Sequence, residues 1–297
     1  MEQAEVEEII EQARLDRSTK LSLSCDQLIN LPDSVVALST LNILCLNHSQ
    51  ITTLPDSITN LSSLIWLDLN WNKLTSLPAN IGDLINLSIL YLNSNQINVL
   101  PESIGNLTRL TNLDLHGNQL NSLPDSIGHL SSLNHLYLHE NQLDSLPKSF
   151  GELSKLTKLY LSYNQFVNLP ESIGNFLSLS TLCLQYNQLN SLPENIGNLL
   201  SLNSLYLHGN QLAILPTSIC NLSKLTLLDL QSNQLNILPE SIGNLSKLEH
   251  LYLNDNQLAT LPESLSNLSM LTHLYLDNNQ LAELPEEIGN QIGRAHV

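Results

Sequence analysis

The sequence predicts an α/β solenoid, one short unit copied and stacked, and three observations predict it. All twelve prolines of the 297-residue chain fall 23 residues apart without a slip, from Pro32, Pro55, Pro78 and Pro101 to Pro285. Each unit repeats one leucine pattern, of which Leu110, Leu113, Leu115, Asn118, Leu120, Leu123 and Pro124 are a clean copy. Within the unit, an xLxLx stretch alternates with period two, the pattern of a strand with leucines inward and the intervening residues outward.

Each element of the unit follows from elementary constraints. Identical strands 23 residues apart stack in parallel, because each must return through the other half of its unit before the next begins. The return half is wider than a strand, so the stack is expected to curve, with the parallel β-sheet on its concave face and short helices or turns on its convex face. Proline, then an acidic residue, then Ser-Ile-Gly suits the first turn of a short helix, where the missing N–H has no partner anyway. Nine of the twelve residues after these prolines are Asp or Glu, among them Glu102, Asp125 and Glu171, and acidic side chains are favourable near a helix N-terminus. Much of the net charge of −17 thus belongs to the convex turns.

The asparagine that follows each strand is present in ten of twelve units, from Asn72 to Asn279, with Asp26 and Ser49 in the first two. A buried amide must pair its two donors and its acceptor, so a ladder of bonds to neighbouring turns is expected. One unit alone buries too little apolar surface to offset the ordering of its backbone, so the ends need covers. Residues 1–17 are expected to form a capping helix at the start, with Val6, Ile9, Ile10 and Ala13 on one face. Residues 18–290 are the twelve units, the last incomplete. Residues 291–297, Gln-Ile-Gly-Arg-Ala-His-Val, depart from the repeat and match the translation of a common short-read sequencing adapter. They are expected to be a non-native tail.

Written from Ser18, the unit is L-x-x-L-x-L-x-x-N-x-L-x-x-L-P-E-S-I-G-N-L-S-x. It resembles the leucine-rich repeat family in its intracellular 23-residue LPxxIGNLxxL subtype, shared with the Ras-group repeat scaffolds, over Ser18 to about Asn290. The resemblance implies a horseshoe that binds other proteins on its concave face. The leading segment from Glu7 to Leu23 also resembles the start of the repeats in bacterial Roco proteins, where the repeats precede a Ras-like GTPase. Nothing in this chain matches a GTPase. An alternative to a stand-alone adaptor is therefore the sensor arm of a multidomain signalling protein.

Charge and composition narrow the partners. With 28 acidic against 11 basic residues, nucleic acid and anionic membrane are disfavoured, since both need Lys/Arg patches. No apolar run approaches the ~18 residues of a membrane span, and the acidic start, Met-Glu-Gln-Ala-Glu, is unlike a secretory signal. Cys25, Cys45, Cys183 and Cys220 are scattered rather than clustered at the ends, so free thiols and a cytoplasmic setting are expected. The Asn-Leu-Ser/Thr sequons at Asn106, Asn221, Asn244 and Asn267 are products of the repeat phase.

Candidate binding residues emerge from the phase of the aromatics. Phe150, Phe166 and Phe176 take core positions, whereas every Tyr and Trp falls on an outward strand site or the turn after it. Tyr91, Tyr137, Tyr160, Tyr206, Tyr252 and Tyr275 share the middle outward site; Tyr163 and Tyr186 follow their strands; Trp66 and Trp71 flank one strand. Rings aligned on one face supply large contact area at little entropic cost, as interface hot spots do, although lateral stacking between strands accounts for part of the row. Asp68, Asp114, Asp229, Cys45 and Cys183 interrupt it. His116, His139 and His208 share another outward site, and His135, His250 and His273 a third. His116 beside His139, with Asp114 and Glu140 near, has the residue types of a zinc site, but the spacing is unspecific and no metal or other cofactor is expected. There is no Gly-rich phosphate loop and no nucleophile–base order, so a non-enzymatic scaffold is expected. Only Lys20 and Lys158 are basic at outward strand sites, which calls for a protein or peptide partner of basic or amphipathic character.

Overall fold

The computed structural model describes residues 3–283. The last proline, Pro285, and the tail 291–297 lie outside them. By contact the chain divides into two compact units, the first comprising described residues up to 143 and 147–153, the second 144–146 and 154 onward.

In the first unit a helix, α1 (Gln3–Leu15), precedes six three-residue strands: β1 (Lys20–Ser22), β2 (Ile43–Cys45), β3 (Trp66–Asp68), β4 (Ile89–Tyr91), β5 (Asn112–Asp114) and β6 (His135–Tyr137). The second unit holds β7 (Lys158–Tyr160), β8 (Thr181–Cys183), β9 (Ser204–Tyr206), β10 (Leu227–Asp229), β11 (His250–Tyr252) and β12 (His273–Tyr275). Within each unit, successive strands pair in parallel with an offset of one repeat, as in Leu90 against Leu113 and Leu228 against Leu251. Parallel neighbours lie about 4.8 Å apart, so equivalent side chains of successive repeats form rows. Chain order and strand order coincide within each unit.

The core is the leucine pattern itself: Leu110, Leu113, Leu115, Leu120, Ile127 and Leu130 are fully buried. Phe150, Phe166 and Phe176 are buried among them. Val6, Ile10 and Ala13 of α1 are buried as the helical spacing predicts, but Ile9 is 38% exposed. The apolar stripe of α1 is narrower than the sequence implies, because one neighbouring repeat covers only one line of side chains. The helix is also tied to the first repeat by the Ser34 hydroxyl, which donates to the Glu7 carboxylate.

Opposite the strands, each of the first eleven repeats turns through a 3-10 helix of three to five residues, for example Glu102–Asn106 and Asp125–His129. Proline sits one residue before the turn rather than in it. Pro101 is extended, with φ −71° and ψ 149°, and its carbonyl accepts the Ile104 N–H at 3.0 Å. A 3-10 turn closes i to i+3, so it needs the proline only as the carbonyl that starts it.

The glycine of Ile-Gly serves the spacing between repeats. A Cβ on Gly128 would lie 2.2 Å from the Ser149 carbonyl oxygen of the following repeat. Thr59 and Cys220 take that place in two repeats.

The asparagine ladder is explicit. The Asn118 amide donates to the Leu115 carbonyl of its own repeat at 3.0 Å and to the Leu92 carbonyl of the preceding one at 2.9 Å. Its oxygen accepts the Ile97 N–H at 3.0 Å. The same three bonds recur around Asn210 in the second unit. In the second repeat Ser49 replaces the amide and its hydroxyl accepts the Cys25 N–H at 3.1 Å.

Candidate strand-face binding site

Because the strands are only three residues long, each repeat offers a short outward column: first and third strand residues, then the two residues of the following turn. The structure places Trp66, Tyr91, Tyr137, Tyr160, Tyr206, Tyr252 and Tyr275 half-buried in these strand rows, with His116, His139 and His208 half-buried just beyond. Trp71, Tyr163 and Tyr186 stand exposed on the turn edge, at 55%, 49% and 48%.

Contacts within these rows are local. Trp66 meets the edge of Tyr91 at 5.9 Å, and Trp71 stacks on His48 at 5.7 Å. Tyr163 and Tyr186 stack at 4.5 Å, and Tyr186 meets the edge of His208 at 5.0 Å. Tyr252 and Tyr275 stack at 4.9 Å with their planes 5° apart. Lateral stacking thus accounts for some of the rings. Tyr91 and Tyr137 are not direct neighbours, because the strand that carries Asp114 lies between them.

The carboxylates of the middle row are built into the strand ends. Asp68, Asp114 and Asp229 each accept the backbone N–H two residues on, from Asn70, His116 and Gln231, at 3.1–3.2 Å. Asp114 also contacts His116 Nδ1 at 2.8 Å, and Asp229 contacts His208 Nδ1 at 2.7 Å. Burial pushes the Asp68 carboxyl above the usual carboxylate range. The bond from Asp114 holds His116 above the ordinary histidine value, whereas burial, aided by His116, pushes His139 below it. Burial likewise raises Tyr91, Tyr137, Tyr206 and Tyr252, with a nearby Asp adding to the shift of each.

His116 and His139 do come together, but as stacked rings 4.3 Å apart and 8° from parallel. Parallel imidazoles direct their nitrogens along two parallel planes, not toward one point. Among the described residues no group of three or more His, Cys, Asp or Glu could hold a metal ion. Burial pushes the Cys183 thiol up to about 12, which makes it an inert part of the row.

One feature of the turn edge went unread in the sequence. The second turn residue has positive φ in almost every repeat: Trp71 at 56°, Tyr163 at 53°, Tyr186 at 55°, and Gly117 and Gly209 at 64° and 67°. Bulky residues rarely adopt this left-handed region. The signal lay in the small or turn-forming residues at that phase, Gly117, Gly209, Ser94, Ser232, Asp255 and Asn278, which are the types that tolerate it. Against that background the three exposed rings are costly exceptions.

Comparison with known proteins agrees with this architecture. A model of the leucine-rich repeat region matches residues 105–188 and 171–254, and further leucine-rich repeat models match 18–74, 86–107, 247–268 and 270–291. A leucine-rich repeat protein of Leptospira interrogans is similar at 34% identity and a TM-score of 0.65, over 94% of this chain and 83% of that one. The structure named PEPR1-AtPEP1 is similar at 35% identity and a TM-score of 0.78, over 87% of this chain and 38% of that one. The plant peptide hormone receptor RGFR1, in complex with RGF2, is similar at 29% identity and a TM-score of 0.79, over 90% of this chain and 44% of that one. This chain spans less than half the length of both. No curated protein matches the chain. The chain belongs to the leucine-rich repeat proteins, and its fold is their solenoid. No helix among the described residues is long and apolar enough to cross a membrane.

Proposed function

We propose that this chain is a non-enzymatic scaffold or adaptor that binds another protein or a peptide on its strand face. The observation that carries the reading is the sorting of aromatics: Phe residues fill the core, while Tyr and Trp line the strand rows and turn edge. Nothing about burial in the repeat demands that division, and interfaces are enriched in those two outward types. Similar structures that hold a named partner, RGFR1 with RGF2 and PEPR1 with AtPEP1, support it. The acidic balance of the strand face favours a basic or amphipathic partner, with an on-rate that falls as salt is added. The cytoplasmic setting and the 23-residue intracellular subtype are part of the proposal, resting on the scattered positions of the four cysteines and the repeat phase.

A second reading, the sensor arm of a larger signalling protein such as a Roco GTPase, rests on the leading helix and its join to the first repeat. Both readings place recognition on the same face. The test is capture of partner from source-cell extract by the wild-type chain and by a variant carrying Tyr137→Ala, Tyr160→Ala and Tyr206→Ala. Loss of a captured protein in the variant, with an unchanged circular dichroism spectrum, is the expected result. Equal capture by both proteins overturns the assignment to the strand face.

A further inference from the structure

The middle strand row contains the same local pattern twice, once in each compact unit. In the first, Asp114 is in register with Tyr91 on one side and Tyr137 on the other. In the second, Asp229 lies between Tyr206 and Tyr252. We infer that each of these Tyr–Asp–Tyr notches seats one arginine side chain of a bound polypeptide. The inference rests on the protein-binding reading and names the chemistry recognised.

Three properties fit a guanidinium. The two Tyr backbones of a notch are two strand spacings apart, about 10 Å. A planar group sandwiched between two rings at ordinary contact distance needs about 7 Å, so a guanidinium fits between them where no neighbouring ring can reach across. In the second notch, Tyr275 already stacks on Tyr252 from the strand beyond, leaving the side toward Asp229. The floor of each notch is a carboxylate, with only 17% of the Asp114 and 13% of the Asp229 side chain exposed. A carboxylate so shielded interacts more strongly with a cation than one in open water. It also retains acceptor capacity, since a carboxylate offers about four lone-pair sites: both Asp114 bonds fall on Oδ1, while Asp229 meets the Gln231 N–H with Oδ1 and His208 Nδ1 with Oδ2.

Arginine is favoured over lysine because its planar fork both stacks on aromatic faces and pairs a carboxylate through two N–H groups. The chain supplies its own contrast. Tyr160, Cys183 and Tyr206 have the same spacing, but with a thiol pushed to about 12 that notch carries no charge.

The structural duty of the carboxylates dictates the variant. Each accepts a strand-end N–H, a bond that Asn can still accept, so Asp→Asn removes charge while keeping the backbone arrangement. The probe is a short fluorescein-labelled peptide of alternating glycine and arginine, beside its citrulline copy, in which an uncharged urea of the same shape replaces each guanidinium. Binding is read by fluorescence anisotropy on the whole chain at about 0.15 M salt, where long-range attraction is screened. The arginine peptide is expected to bind about tenfold or more tighter than the citrulline copy. Asp114→Asn with Asp229→Asn should weaken it about fivefold or more. Asp56→Asn with Glu263→Gln removes the same charge from the turn side and should change it less than about twofold.

Equal binding of the two peptides overturns the inference. So does equal loss in both double variants, because the attraction then belongs to net charge. If partner capture still depends on Tyr137, Tyr160 and Tyr206 while arginine discrimination is absent, the notch assignment fails and the strand-face reading stands. If arginine discrimination is found while capture ignores those tyrosines, the broader reading fails and the notches stand as cation seats alone.

Discussion

The two sides of this chain handle charge in opposite ways. On the turn side, acidic residues such as Asp33, Asp56, Glu171 and Glu263 are exposed at the same phase of successive repeats, and each is a solvated residue at the start of a 3-10 turn. On the strand side, Asp68, Asp114 and Asp229 are buried or nearly so and bonded to backbone, and Asp114 and Asp229 each lie between two tyrosines. A count of net charge makes the two populations equivalent. Only the repeat phase separates a carboxylate that keeps the protein soluble from one that can discriminate a ligand. A similar contrast holds for asparagine: ladder residues such as Asn118 and Asn210 are 7% exposed and bonded to backbone of two repeats, whereas outward Asn278 is exposed.

The largest effect expected from breaking this contrast is in the ladder. Asn118→Ala removes the partner of the Ile97 N–H and of the Leu92 and Leu115 carbonyls. Leaving buried backbone groups unpaired costs about 1–3 kcal/mol each before relaxation, so a loss of about 3 kcal/mol or more is expected in chemical denaturation. Gly128→Ala comes next. Its Cβ would meet backbone, the Ser149 carbonyl, at 2.2 Å, and a loss of about 1–3 kcal/mol should appear as a lower denaturation midpoint. A substitution at exposed Asp56, also on the turn side, should stay within about 0.5 kcal/mol.

A smaller, stabilising change sharpens the comparison from the turn edge. Ser232 holds φ 52°, so Ser232→Gly should raise stability by about 0.5–1 kcal/mol through relief of the left-handed backbone. The smallest effect is electrostatic. In a histidine C–H titration followed by NMR, His116 should titrate above the ordinary value of about 6.5 and His139 below it. Asp114→Asn should bring the His116 midpoint down, since that carboxylate is its main cause. The signs oppose in stability. The contribution of His116, raised in the folded state, is fully present below about pH 6.5 and lost as pH rises through its folded midpoint. His139, depressed in the folded state, costs stability as pH falls below about 6.5. A net pH dependence smaller than either alone is expected, because both groups are partly exposed.

The repeat phase made nearly all of the fold legible. Pro101 and Leu113 occupy positions that recur many times, and a residue type that recurs at one phase can be assigned a structural duty without knowing its contacts. The site was legible only where residues depart from the template. Trp66, Tyr137 and His116 were readable as outward because their phase is outward. Which of them touch was not, since ring pairing depends on rotamers: Tyr163 stacks on Tyr186, while Tyr91 and Tyr137 are kept apart by Asp114. The 38% exposure of Ile9 escaped for a related reason, because helical spacing gives a stripe and only the neighbouring repeat sets its width. The positive φ of Trp71 and Tyr186 was hidden by the aromatic identity of the very residues that bear it.

The asparagine ladder also constrains how such a chain can change over time. The Asn118 amide, like that of Asn210, ties its own turn to the carbonyl 26 positions back and to the N–H 21 positions back. A single inserted or deleted residue shifts one rung out of reach of both neighbours, whereas a whole copied repeat restores every bond. Growth by duplication is therefore the permitted edit. Each added copy lengthens the strand face by about 4.8 Å and supplies a fresh set of outward positions free to drift while the ladder behind them stays fixed.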